Sequence, residues 1–126
     1  MNRLLVVDDE ANIRLLYSEE LKDEGYEVET AASSAEAAEK LQLGTFDLAV
    51  LDIKLKNESG IELLQKLVKE RHEMPVILCS AFSCYKDDFS AWLADGYVVK
   101  SGDLTELKQE IARVLAKKAL KMKVEG

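Results

Sequence analysis

One proline, one histidine, one tryptophan and two cysteines in 126 residues leave this chain short of several kinds of chemistry. Cys79 falls within an apolar run and Cys84 just beyond it, a pairing unsuited to a structural disulfide, so both read as free thiols of a reducing cytoplasm. His72 stands alone among charges near the end of a helical segment, where it reads as solvated. Clustered imidazoles or thiols of the kind that hold a transition metal are missing. No run approaches the roughly 18 apolar residues of a membrane span, and Arg3 with the brief run after it makes no targeting signal. Positive charge is in deficit too. The net charge of −7 opposes direct nucleic-acid binding by this segment, because phosphate draws basic surfaces. No repeat, low-complexity stretch or linker divides the sequence, which reads as one domain over residues 1–120 with a tail at 121–126. A chain of this size buries about two-thirds of the surface its unfolded form exposes.

What the sequence does have is a set of short apolar runs that stop on polar residues. Leu4-Leu5-Val6-Val7 ends in Asp8-Asp9, and Leu48-Ala49-Val50-Leu51 ends in Asp52. Val76-Ile77-Leu78-Cys79 ends in Ser80, and Tyr97-Val98-Val99 ends in Lys100. Continuous apolar runs separated by helix-like segments are the pattern of buried strands in a parallel sheet. Tyr26 to Ala31 alternates in character instead, as a strand near an edge does.

Helical segments fill the gaps. Ile13, Leu16, Tyr17 and Leu21 share one face of a first helix that Gly25 stops. Ser33 and Glu36 form a capping box ahead of a second helix, Ala35 to Leu43, closed by Gly44. Ile61, Leu64, Leu67 and Val68 mark a third, and a weaker fourth lies around Asp87 to Ala94. Asp103 and Glu106 offer a second capping box before Leu104, Leu107, Ile111, Val114 and Leu115 at helical spacing. The alternation predicts an α/β fold of the flavodoxin-like, doubly wound (βα)5 type, a three-layer sandwich around a parallel sheet of order 2-1-3-4-5. Its switch point falls between the first and third strands, where Asp8, Asp9 and Asp52 lie.

Functional groups of such sheets sit at the carboxyl ends of the strands, so three carboxylates, a hydroxyl and an ammonium are expected to converge. Two carboxylates about 4 Å apart repel by roughly 4 kcal/mol at an effective dielectric near 20. Three together need a divalent cation, a nearby ammonium or a retained proton. Oxygen-only ligands point to Mg²⁺, which uses few carboxylates and keeps waters. With Mg²⁺ beside Asp52, one carboxylate oxygen is left to attack phosphorus, while Lys100 and the Ser80 hydroxyl meet the transferred oxygens. That is phosphoryl transfer by positioning and charge neutralisation.

With these residues in place, the chain resembles a receiver domain of bacterial two-component response regulators, of the chemotaxis-regulator-like kind, over about Arg3 to Lys118. The resemblance implies that Asp52 is the phosphoacceptor, taking a phosphoryl group from a histidine kinase or histidine phosphotransfer protein. It implies Mg²⁺ held directly by Asp9, Asp52 and the backbone carbonyl of Lys54, and through water by Asp8. Ser80 matches the switch hydroxyl, Lys100 the family's lysine, and Tyr97 the aromatic that turns inward upon phosphorylation. Gly60 matches the glycine closing the loop after Asp52. Lys54 and Phe82, two residues after Asp52 and Ser80, match positions that influence phosphoryl lifetime. The family is cytoplasmic and is a phosphoacceptor rather than an enzyme in its own right. Its fourth-helix, fifth-strand and fifth-helix face meets an output domain, a downstream protein or a second receiver, and here that face carries Asp87, Asp88, Phe89 and Trp92.

The sequence departs from the family at Lys56 and Ser101, both positions where proline is usual, and in a slightly short stretch from Leu93 to Gly96. An alternative class is an Mg²⁺-dependent aspartyl-phosphate phosphatase, but the second Asp expected two residues after the nucleophile is Lys54 here. A flavin module would want Ser, Thr and Gly where Glu10-Ala11-Asn12 stand. The last helix, predicted from Asp103 to Lys121, is about 28 Å long at 1.5 Å per residue, longer than the sheet it packs on. Its basic end leads into a tail that reads as the start of a linker or a cloning remnant.

Overall fold

The structure, a computed structural model, describes residues 2–55, 58–70, 74–80, 94–100 and 103–125. Lys56, His72, Phe82, Cys84, Asp87, Asp88, Phe89, Trp92 and Ser101, with the predicted fourth helix and the Lys100–Ser101 bond, lie outside the described residues.

Five parallel strands carry the fold: β1 (Arg3–Val7), β2 (Glu27–Ala31), β3 (Leu48–Asp52), β4 (Val76–Ser80) and β5 (Gly96–Val99). Their order is β2-β1-β3-β4-β5, as the sequence pattern predicts. Helices α1 (Ala11–Asp23), α2 (Ser34–Leu43), α3 (Gly60–Glu70) and α4 (Thr105–Glu125) lie between and after them. A two-residue antiparallel ladder, Lys54–Leu55 against Glu58–Ser59, follows β3 and has no counterpart in the sequence reading. Gly60, expected to close that loop, is the first residue of α3.

The apolar runs are continuous because both faces of the sheet are covered. Leu5, Val7, Ala49, Leu51, Val76 and Leu78 pack with α2 and α3 through Ala37, Leu41, Leu63, Leu64 and Leu67. Their alternate neighbours Leu4, Val6, Leu48, Val50, Ile77 and Cys79 pack with α1 and α4 through Tyr17, Leu21, Leu107, Ile111 and Val114. Burying one such leucine contributes roughly 1.5–3 kcal/mol, so the strands are fixed between two apolar layers. β2, with Glu27 exposed and Glu29 and Thr30 half-buried, takes an edge.

Register is also held at the pole away from the carboxyl ends. The Arg3 guanidinium pairs with Glu29 of β2 and with Glu27 at 3.5 Å, donates to the Thr45 carbonyl at 2.9 Å, and stands 4.8 Å from the centre of the Phe46 ring. Its own backbone N–H donates to Asp47 at 2.7 Å. A slip of one residue would turn every side chain to the wrong face. These contacts around β1 help to exclude it, and so align the opposite ends.

The predicted caps recur with shifted partners. Ser33 Oγ accepts the Glu36 N–H at 3.2 Å, while the Glu36 carboxylate takes the Ala32 N–H at 2.8 Å, one residue earlier than the expected box. Asp103 accepts the Thr105 N–H and hydroxyl at 2.9 and 2.6 Å. Helix α4 has 21 residues and runs to Glu125, beyond the predicted Lys121. At about 31 Å it is longer than the roughly 17 Å of a five-residue strand, and Leu120 near its end is 63% exposed.

Gly25 ends α1 with φ of +98°, its N–H donating to the Lys22 carbonyl at 2.9 Å. A Cβ there meets nothing within 4 Å, so the cost of Gly25→Ala is backbone strain alone. We expect a loss of about 1–2 kcal/mol. An unchanged urea midpoint would reject this account.

Candidate functional site

β1, β3 and β4 stop where their apolar runs stop, and the residues there are the polar ones buried under the site. Asp8 follows β1, Asp52 ends β3 and Ser80 ends β4, with exposures of 2%, 6% and 2%. Lys100 follows β5 and is half-buried. Its ammonium lies 2.7 Å from Asp8 Oδ2 and 3.1 Å from Asp52 Oδ2, so one cation joins the ends of β1 and β3. Burial by itself would lower the Lys100 pKa, but the hydrogen bond to Asp8 and the charge of Asp52 outweigh it and hold the ammonium above its ordinary value. It is therefore charged throughout the physiological range.

Backbone bonds fix the strand ends that carry these groups. Asp52 is in register with Cys79, and Ser80 with Val99. The Ile53 N–H donates to the Cys79 carbonyl at 3.1 Å, and the Lys100 N–H to the Ser80 carbonyl at 2.6 Å. The chain thus passes from Asp52 to Ser80 to Lys100 across adjacent strands. Tyr97 is half-buried on β5 and packs with the α2–α3 layer. Lys54 stands in the short ladder after β3, with its backbone two residues beyond Asp52.

The loop after β1 gathers further charge. Asp8, Asp9 and Glu10 present carboxylate oxygens within 4.8 Å of one another. Asp8 Oδ1 accepts the Glu10 N–H at 2.9 Å, closing an Asx turn that starts α1. Asp8 thus serves both as a helix-start residue and as part of the cluster. Arg14, one turn into α1, donates to the Asp8 backbone carbonyl at 2.7 Å.

Glu10 and Arg14 were not singled out as site residues by the sequence reading. The Asp8-Asp9-Glu10 run was a signal for Glu10. Arg14 had none, because its partner is a backbone carbonyl.

Under the cluster lies a second pair, Tyr17 of α1 and Cys79 of β4, both 2% exposed. The Tyr17 hydroxyl and Cys79 Sγ are 3.5 Å apart. Burial, then the Cys79 sulfur and the charges of Asp8 and Asp52, push the tyrosine well above its ordinary range. Burial pushes the Cys79 thiol up to about 11, against the opposing pull of Tyr17 and Lys100. A buried hydroxyl left without a partner costs about 1–3 kcal/mol, so this contact has energetic weight.

Chemically, the cluster offers a carboxylate nucleophile beside a fixed ammonium, a hydroxyl on the adjacent strand and a set of oxygen ligands. The described residues form an α/β fold with this charged cluster at the carboxyl edge of a parallel sheet. Comparison with known proteins agrees. Residues 4–112 match the response regulator receiver domain, and the chain belongs to this family of two-component systems.

Among solved structures it is similar to the response regulator protein TrrA of Thermotoga maritima in complex with Mg²⁺-BeF. The TM-score is 0.86 and the identity 46%, over 90% of this chain and 98% of that one. TrrA in complex with the histidine kinase ThkA compares at a TM-score of 0.85 and 46% identity, over 91% and 99% of the two chains. The alginate biosynthesis transcriptional regulatory protein AlgB of Pseudomonas putida is 35% identical over 98% of this chain and 28% of its own length. The response regulator ArlR of Staphylococcus saprophyticus is 31% identical over 96% of this chain and 56% of its own. The chain therefore spans about a quarter to a half of the curated relatives it matches. Among the described residues, no helix is long and apolar enough to cross a membrane.

The Cys79 environment gives a direct check on the packing below the site. At pH 8 we expect iodoacetamide to leave Cys79 unmodified in the folded protein and to label it in urea, as located by fragmenting the tryptic peptide that it shares with Cys84. Comparable labelling in both conditions would show that the layer under Asp52 is open.

Proposed function

We propose that this chain accepts a phosphoryl group on Asp52 from the phosphohistidine of a histidine kinase or phosphotransfer protein, in an Mg²⁺-dependent reaction. The observation that carries the reading is the Lys100 ammonium held between Asp8 and Asp52 at 2.7 and 3.1 Å. A cation so placed attracts the phosphoryl oxygens as they approach a nucleophile set among carboxylates. One oxygen of Asp52 attacks phosphorus as the bond from phosphorus to the donor nitrogen breaks. Ser80 and Lys100 then meet the oxygens of the transferred group. Ser80, with Tyr97 on the neighbouring strand, carries the change to the face formed by the predicted fourth helix, β5 and α4. An output domain, a downstream protein or a second receiver is the expected reader of that face.

The donor set fits a hard divalent cation. The ligands grouped among the described residues are oxygen only, from Asp8, Asp9 and Glu10, with Asp52 joined to Asp8 through Lys100. Asp9, Asp52 and the Lys54 carbonyl would hold Mg²⁺ directly and Asp8 through water. Bound there, Mg²⁺ supplies charge neutralisation for the transferred group. The Mg²⁺-BeF complex of TrrA and its complex with a histidine kinase support the same reading by likeness.

As a phosphoacceptor and not a turnover enzyme, the chain should take up one phosphoryl group per molecule. Intact mass after acetyl phosphate and Mg²⁺ tests this. We expect a single adduct in the parent and none in Asp52→Asn. An adduct retained by Asp52→Asn would move the acceptor elsewhere, and many equivalents of donor consumed would favour a phosphatase.

Lys100 and a divalent cation compete for the same carboxylates, so Lys100→Met should bind Mg²⁺ at least about threefold more tightly while accepting phosphate more slowly. Weaker Mg²⁺ binding by this variant in calorimetry would contradict the competition.

A further inference from the structure

The phosphoacceptor reading leaves two buried polar groups under the site without a role, the Tyr17 hydroxyl and the Cys79 thiol. We propose that Tyr17 is a positioning residue for phosphoryl acceptance, acting through Cys79 to fix the end of β4 that presents Ser80. The inference rests on the assignment of Asp52 as acceptor and Ser80 as the hydroxyl that meets the phosphoryl group.

Cys79 and Ser80 are the last two residues of β4. Within the plane of the sheet this end is held on both sides, by the Ile53 N–H on the Cys79 carbonyl at 3.1 Å and the Lys100 N–H on the Ser80 carbonyl at 2.6 Å. In-plane bonds restrain rotation about the strand axis weakly. A contact that acts out of the plane comes from α1, where the Tyr17 hydroxyl lies 3.5 Å from Cys79 Sγ. Neighbouring residues of a strand face opposite sides. Holding the Cys79 side chain toward α1 therefore sets the direction in which Ser80 presents its hydroxyl.

Packing alone does not explain the hydroxyl. Phenylalanine would fill the same apolar layer among Val6, Val50, Ile77 and Val98 without burying a polar atom. Tyr17 instead places that atom on the one side chain that adjoins Ser80 and is in register with Asp52. The contact joins residues 62 apart in sequence, and so ties α1 to the strand that carries the switch hydroxyl.

The test is the rate of labelling by acetyl phosphate with Mg²⁺ for Tyr17→Phe and Cys79→Ala, each alone and combined with Ser80→Ala. Mg²⁺ affinity is measured alongside by calorimetry. Tyr17→Phe keeps the ring, and Cys79→Ala reaches the same link from the strand side.

We expect each to slow labelling about three- to tenfold, the size of a coupling between contacting groups. Mg²⁺ affinity should stay within about twofold, and the slowing should vanish once Ser80 lacks its hydroxyl. Parent-like labelling by Tyr17→Phe overturns the proposal. Equal slowing with and without the Ser80 hydroxyl also overturns it, since that assigns Tyr17 to packing. A fall in Mg²⁺ affinity in step with rate overturns it too, in favour of a direct effect on the carboxylates. A parent that takes no phosphoryl group at Asp52 rejects the acceptor assignment itself, and that failure is visible before any Tyr17 variant is compared.

Discussion

The Lys100 ammonium between Asp8 and Asp52 is the contact on which the carboxyl edge of this sheet depends. Both carboxylates are almost fully buried, at 2% and 6% exposure. Desolvating them side by side is costly, and a single cation at 2.7 and 3.1 Å offsets that cost for both. Taking the ammonium away without a replacement would leave buried charge uncompensated, a penalty on the order of 3–5 kcal/mol. The cluster is thus stable only while a cation is present.

This contact constrains topology. Lys100 leaves β5, which is separated from β3 by β4, so its side chain must reach across about two strand spacings of roughly 4.8 Å each. The lysine's four-carbon stem and the Asp52 side chain close that distance between them, meeting at 3.1 Å. The contact also needs β1 beside β3, so that one ammonium meets both carboxylates. The strand order β2-β1-β3-β4-β5 supplies both conditions. At the other pole, Arg3 tethers β1 to the glutamates of β2 and to the turn before β3. One arginine and one lysine thus tie the ends of β1 to its neighbours and limit slippage between them.

Most of this was legible in the sequence because it is carried by local pattern. Apolar runs of four residues announced β1, β3 and β4, and the aspartates that follow two of them meet at Lys100. β2 declared itself an edge by alternation. What escaped was carried by backbone or by pairs distant in sequence. The short ladder from Lys54 to Ser59 has no periodicity to betray it. Arg14 bonds a carbonyl, which has no residue identity. Glu10 was visible as a third acid but gained meaning only when the turn at Asp8 folded it back. Tyr17 read correctly as a core residue of α1, yet its hydroxyl pointed nowhere until Cys79 was placed opposite. The capping box at Ser33 was foreseen, while the shift of Glu36 to the Ala32 N–H depends on backbone geometry that sequence does not specify.

The two layers flanking the sheet meet the site differently. On one side, α1 touches it at the Asp8 carbonyl through Arg14 and at Cys79 through Tyr17, and its first turn is closed by the Asp8 side chain. On the other side, Tyr97 packs with the α2–α3 layer and stands on the strand that leads into Lys100. A change of charge at Asp52 therefore meets a stiff boundary at α1, where hydrogen bonds must break before anything moves. Tyr97 is half-buried against the α2–α3 layer. The hydroxyl and thiol beneath the cluster thus join α1 to the end of β4, at the residue in register with Asp52.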